Sequence, residues 1–292
     1  MTRTTKVLVD GLVFPEDPRW HEGKLWFSDI HADQVMTVDL HGRLEKVIEV
    51  PGEPSGLGWQ PDGRLLVVSV TDRRLLRLDP GGLTTVADLG GLTSFYCNDM
   101  VVDRQGRAYV GHFGFDINAA QPVPRLAEII LVTPDGEARV VADGLGFPNG
   151  SVITPDGKTF VVAETGSARL SAFEIAPDGS LSNRWTWAQF DGLPFWDQSP
   201  RRVAPDGICL DAEGAIWVAS VLSAEVLLVC EGSVVTDRIK VTTVPFACML
   251  GGPDRRTLFV CTAETSQRDA ARAKRSGRIE TVEVDVPGAG LP

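Results

Sequence analysis

One short pattern recurs six times along the 292 residues and limits what the chain can fold into. Each copy holds an apolar or tryptophan position, a turn rich in Pro, Asp and Gly, and an alternating apolar run. The copies are RWHEGKLWF at 19–27, GWQPDGRLLVV at 58–68, VVDRQGRAYV at 101–110, VITPDGKTFVV at 152–162, CLDAEGAIWVA at 209–219 and LGGPDRRTLFV at 250–260. Their turn residues, Gly23, Gly63, Gly106, Gly157, Gly214 and Arg256, lie 40, 43, 51, 57 and 42 residues apart. Glycine supplies the positive φ that a tight hairpin needs. Alternating Val, Leu, Phe and Trp on either side form the pattern of half-buried strands.

A second hairpin follows most copies, as in QVMTVDLHGRLEKVIEV at 34–50 and EIILVTPDGEARVVADGL at 128–145. The expected fold is an all-β six-bladed β-propeller, a single domain over 1–292 with about four antiparallel strands per blade. No crossover helix is visible, and the polar stretch 266–276 reads as a loop or one exposed turn. The two longest steps place insertions at 113–127 and 191–205. A ring must protect its last edge strand. KVLVDGL at 6–12 is therefore expected to complete the final blade beside RIETVEVDV at 278–286.

The formal net charge of −11 argues against nucleic acid and anionic membrane surfaces as partners. No apolar stretch has the length of a signal peptide or a membrane span. The five cysteines are irregularly spaced and form no CxxC, which reads as reduced thiols in a cytoplasmic protein. GxSxG, P-loop, GxGxxG and HExxH motifs are all absent, and the two long insertions favour a pocket for a small molecule as the partner.

The repeat allows equivalent positions to be compared within one sequence. The residues four before the anchors Trp20, Trp59, Val102, Ile153, Leu210 and Gly252 are Glu16, Ser55, Asn98, Asn149, Asp206 and Cys248. Ring symmetry would turn Glu16, Asn98, Asn149 and Asp206 toward one axis at a mouth of the channel. Two carboxylates and two carboxamides converging there would repel and leave polar atoms unsatisfied. One divalent cation resolves both problems. Oxygen-only donors favour calcium or magnesium over zinc, and calcium is the expected ion, with magnesium, zinc and manganese as the alternatives. Ser55 and Cys248 would leave two sectors open for substrate.

The motifs FPEDPRW at 14–20, CNDMVVDRQGR at 97–107, FPNGSVITPDGK at 147–158 and APDGICLD at 204–211 resemble those of the regucalcin/gluconolactonase/luciferin-regenerating family, in the same order and over essentially the whole chain. The resemblance implies a six-bladed propeller, a metal site of Glu16, Asn98, Asn149 and Asp206, and lactone hydrolysis. Family members that open sugar lactones carry an Arg two residues before the first metal-binding Asn, where this chain has Tyr96. Tyrosine cannot form the bidentate fork of arginine, so a less polar lactone is expected. Phe95, Phe113, Phe115, Phe147, Phe195, Trp196 and Phe246 fit such a substrate. Asp206 is the first candidate for general base and His112 the second. Tyr96, His112, Phe115, Asp116, Phe147 and Trp196 are the candidate substrate contacts. Glu164 and Glu264, each in an AET tripeptide, are expected to flank the mouth. Phosphotriester hydrolysis, a non-hydrolytic ring reaction on the same metal site, and a non-catalytic calcium-binding scaffold remain the alternatives.

Overall fold

The structure is a computed structural model that describes residues 3–190 and 203–291. It contains six four-stranded antiparallel sheets. Blades one to five are each built from four consecutive strands, and their innermost strands are Pro15–His21, Pro54–Trp59, Cys97–Val102, Pro148–Ile153 and Pro205–Leu210. Blade six consists of Val244–Gly251, Thr257–Ala263 and Gly277–Glu283, with the N-terminal strand Lys6–Leu12 as its outermost member. Lys6 pairs with Thr281 and Leu12 with Gly277, so the first strand covers an edge that would otherwise be open.

The apolar core lies between neighbouring blades. Leu25 and Phe27 of blade one, Trp217 and Val226 of blade five, and Leu258 and Phe259 of blade six form one cluster. Smaller clusters fill the other gaps, as with Leu66 and Val68 against Met100 and Val110. Strand alternation explains this, since each strand turns its two faces to the two flanking blades. Burying each such Leu, Phe or Met contributes about 1.5–3 kcal/mol, set against the entropy of ordering the chain. Trp20 stacks on Phe259 with ring centroids 5.4 Å apart, joining blade one to blade six.

One expectation about secondary structure is corrected. Residues Arg268–Lys274 form an α-helix rather than a loop. Only Ala271 of this helix is buried, so it carries no apolar stripe that periodicity could reveal. Arg272 holds it to the body by donating to the His31 carbonyl at 2.7 Å.

Candidate functional site

The innermost strands enter the ring in the same way. In each blade the first or second residue of this strand pairs with the end of the next strand: Pro15 with Asp29, Pro54 with Ser69, Cys97 with His112, Pro148 with Glu164, Pro205 with Ser220 and Pro245 with Thr262. A register shift follows directly in blades two to six, and in blade one after the next pair, Glu16 with Ser28. Such bulges re-aim side chains at the rims of closed sheets. The next residue in each blade is Glu16, Ser55, Asn98, Asn149, Asp206 and Phe246. Pairing therefore assigns the sixth position to Phe246 rather than Cys248. The sequence alignment slipped by two residues because the turn in blade six, GGPDRRT, lacks the glycine spacing of the others. Cys248 is buried in the core, its sulfur 3.8 Å from that of Cys209. All five cysteines are free.

Glu16, Asn98, Asn149, Asp206 and Phe246 lie at the floor of a cavity of about 730 Å³ at one mouth of the ring. Glu16, Asn98, Asn149 and Asp206 are each less than a tenth exposed. Asn98 Nδ2 donates to Asn149 Oδ1 at 2.8 Å. The residues that follow Asn149 and Asp206 are glycines, and a Cβ on Gly150 would stand 2.6 Å from the Cα of Gly207. Only glycine at this point lets blades four and five bring those two side chains together.

One layer deeper, at the residue after each ring position, lie Asp17 and Asp99. Both are buried. Asp17 adopts a left-handed φ of 48° and receives the Ser55 hydroxyl at 2.7 Å. Its buried Oδ1 lies 3.8 Å from the Arg19 guanidinium, and the Asp99 carboxyl hydrogen-bonds to the Asp17 carboxyl. Four buried carboxyls thus share this part of the channel with one guanidinium. Burial and the neighbouring carboxylates of Asp206, Asp99 and Asp17 push Glu16 well above the usual carboxylate range. Burial and Asp17 do the same to Asp99 and Asp206. Among the described residues no three His, Cys, Asp or Glu side chains form a metal-binding group by themselves. The ring instead offers two carboxylates and two carboxamides, an all-oxygen donor set suited to calcium or magnesium. The crowding of buried carboxyls around this all-oxygen ring fits a site that a divalent cation would complete.

The cavity wall consists of two further rings. Phe14, Glu53, Tyr96, Phe147, Ala204 and Val244 each precede the paired residue at the start of an innermost strand, and all six face the cavity. The second ring comprises Ile30, Val70, Phe113, Thr165 and Val221, whose N–H groups donate to the carbonyls of Phe14, Glu53, Tyr96, Phe147 and Ala204. Phe113 packs on Phe147 at 5.1 Å, Phe95 on Tyr96 at 4.2 Å and Phe14 on Phe246 at 4.8 Å. One mouth sector is polar. There Glu53 accepts from His31 Nδ1 at 2.8 Å and from Arg268 Nε at 2.9 Å.

Of the other sequence candidates, Tyr96, Asp116 and Phe147 line the cavity, and so does Glu264. His112 does not. It is fully buried in blade three, with Nε2 at 2.8 Å from Glu128 and Nδ1 accepting from Gly114 N–H at 3.1 Å. Burial holds its pKa down, partly offset by Glu128. Phe115 is buried but is not part of the wall. Glu164 is also turned into its blade, where it accepts from Arg169, Ser171, Arg184 and Gly146 N–H. Trp196, Phe195 and most of the 191–205 insertion lie outside the described residues. Sequence reasoning missed the polar wall residues His31, Glu53, Thr165 and Arg268. Glu53 lies two residues before Ser55, and Thr165 directly follows Glu164 in the AET tripeptide, so a repeat comparison widened to those positions would have found both.

A six-bladed ring with an acid-and-amide floor defines a class of propellers with an oxygen-donor site at one mouth. The chain matches the family described as SMP-30/Gluconolactonase/LRE-like over residues 14–264, and it belongs to that family. It is 25% identical over 259 residues to regucalcin of Xenopus laevis, covering 85% of this chain and 82% of that one. It is 24% identical over 302 residues to a pentonolactonase of Haloferax volcanii, covering 99% and 96%. The structure of a calcium-binding regucalcin from Agrobacterium tumefaciens superposes with a TM-score of 0.80 at 23% identity, covering 100% of this chain and 97% of that one. No helix among the described residues is long and apolar enough to cross a membrane.

Proposed function

We propose that this protein is a divalent-cation-dependent lactonase whose substrate is less polar than a sugar lactone. The observation that carries the reading is the buried ring of Glu16, Asn98, Asn149 and Asp206 beneath an aromatic-walled cavity. Relatives named for lactone hydrolysis and calcium binding support it. Glu16, Asn98, Asn149 and Asp206 would hold the cation, with calcium the best match to the donors. When bound, it supplies Lewis acidity at the lactone carbonyl and positive charge for the developing oxyanion. Asp206 is the general base: its carboxylate takes a proton from the attacking water, and the ring oxygen receives one as the acyl C–O bond breaks. Phe113, Phe147 and Phe246 exclude water from the reacting centre and pack the apolar part of the substrate. Tyr96, 37% exposed and stacked on Phe95, offers one hydroxyl and an apolar face where a guanidinium would select a polyol.

The test is a panel of alkyl-substituted, aromatic and sugar lactones assayed with calcium and after chelation. Chelator-sensitive opening that favours the apolar members is the expected result. If no lactone is opened, the hydrolase reading falls; a preference for sugar lactones overturns the substrate assignment alone.

A further inference from the structure

We infer that Thr165 is a positioning residue that presets Asn149 for the cation, an inference that rests on the cation reading above. A carboxamide can serve a cation only through its oxygen, so the site works only if the Asn149 amide is turned one way. The Thr165 hydroxyl donates its single hydrogen to the Pro205 carbonyl at 2.7 Å. Toward Asn149 it therefore presents only lone pairs. The Asn149 Nδ2 group donates into them at 3.1 Å. A flipped amide would set its own oxygen against that hydroxyl oxygen with no hydrogen between them. Thr165 thus fixes Nδ2 outward and turns Oδ1 toward Asn98.

Comparison around the ring shows that the fold does not require this hydroxyl. The residues equivalent to Thr165, defined by the end of the second strand, are Ile30, Val70, Phe113, Val221 and Ala263. All are apolar. Four of them make the same backbone bond as Thr165 to the residue before the innermost strand. Only the blade that carries Asn149 has an oxygen here. The local backbone is also strained, because Phe147 holds a left-handed φ of 57°, a conformation its blade-two equivalent Glu53 shares at 62°. A bulky residue persists in that region only where its surroundings over-determine it. The Thr165 N–H to Phe147 carbonyl bond, at 3.1 Å, is one such restraint. Through Pro205, the residue before Asp206, the same side chain ties the blade-four ligand to the blade-five ligand.

Calorimetric titration of the chelated full-length protein with calcium chloride tests this. Thr165→Val keeps the shape and matches Val70 and Val221, so the blade should fold. Its calcium affinity should fall by about tenfold to a hundredfold, the range for partners that orient a ligand. Thr165→Ser should stay within about threefold of the wild type. Melting temperatures of the cation-free variants report folding separately, and Thr165→Ala replaces the valine variant if that one is unfolded. Wild-type binding with unchanged affinity in the valine or alanine variant would overturn the role of Thr165. Equal losses in the serine and valine variants would also overturn it. A wild-type protein that binds no cation would instead remove the cation reading on which the inference stands.

Discussion

The Ser55 hydroxyl donates to Oδ2 of Asp17 at 2.7 Å, so the blade-two member of the ring is engaged by a carboxylate one layer deeper. That carboxylate adds charge beneath the proposed cation and crowds the channel without it. Asp17→Asn tests the trade-off cleanly, since asparagine tolerates a left-handed backbone and can still accept from Ser55. The cation-free variant should melt about 2–4 °C higher than the wild type. Its calcium affinity should fall by about tenfold or more, because a unit charge several ångströms from a divalent ion at an effective dielectric of about 20 is worth more than ~1.4 kcal/mol. Thermal melts and calcium titrations read the two effects separately.

Stability of the chelated protein should decline as pH rises. Glu16, Asp99 and Asp206 are held above the ordinary carboxylate range by burial and by one another. Above about pH 4, where free carboxyls ionise, the native chain therefore keeps protons that the unfolded chain has released. Raising the pH then favours unfolding. The melting temperature should drop from pH 5 to pH 8 under chelation, and added calcium should raise it most at the alkaline end. A chelated protein that is more stable at pH 8 would contradict the described charge arrangement.

Asp206→Asn should reduce kcat by about a hundredfold or more, the usual scale for a general base. An amide oxygen can still face a cation, so calcium affinity should suffer less than turnover does. Full activity in this variant would assign proton transfer elsewhere.

Tyr96→Arg should redirect specificity. A guanidinium at the cavity edge gains bidentate bonds to hydroxyl-bearing rings and loses the apolar face stacked on Phe95. The ratio of kcat/KM for a sugar lactone to that for an alkyl lactone should rise by about tenfold or more, a modest free-energy change for a new polar contact. An unchanged ratio would show that this edge does not select the substrate.

Glu164→Gln should act on stability. Burial alone would raise the Glu164 pKa, but bonds from Arg169, Ser171 and Gly146 N–H outweigh it and hold the carboxyl at about 2. A depressed pKa contributes stability above the ordinary range, which is lost as pH falls toward 2. The variant should lose about 2–3 kcal/mol at neutral pH and its acid-unfolding profile should flatten. Denaturant melts at pH 7 and pH 3 measure both.

The sequence made the ring of blades legible because its hairpin turns carry glycine at near-regular steps, and that repeat in turn located Glu16, Asn98, Asn149 and Asp206. Where the repeat weakens, the reading slipped: Arg256 replaces the turn glycine in blade six, and Cys248 stood in for Phe246. His112 and Glu164 show a subtler limit. Each sits one residue before a wall residue, Phe113 or Thr165, and alternation sends neighbouring side chains to opposite faces. A strand boundary uncertain by one residue thus exchanges a cavity residue for a core strut. The helix Arg268–Lys274 was illegible for another reason, since the contacts that hold it run through Arg272 to a backbone carbonyl and leave no pattern in hydropathy.

Strand Lys6–Leu12 zips onto Gly277–Glu283. Every oxygen donor of the floor is already present in the polypeptide by Asp206, yet each belongs to a different blade. On an open arc Asn98, Asn149 and Asp206, on three consecutive blades, would still be neighbours, while Glu16 would stand apart from them. Glu16 joins the other three around one axis only when these two distant segments meet, so the proposed ion affinity would belong to the whole circle. Unclasping that one seam would loosen the grip on the proposed ion while every one of its proposed ligands stays intact.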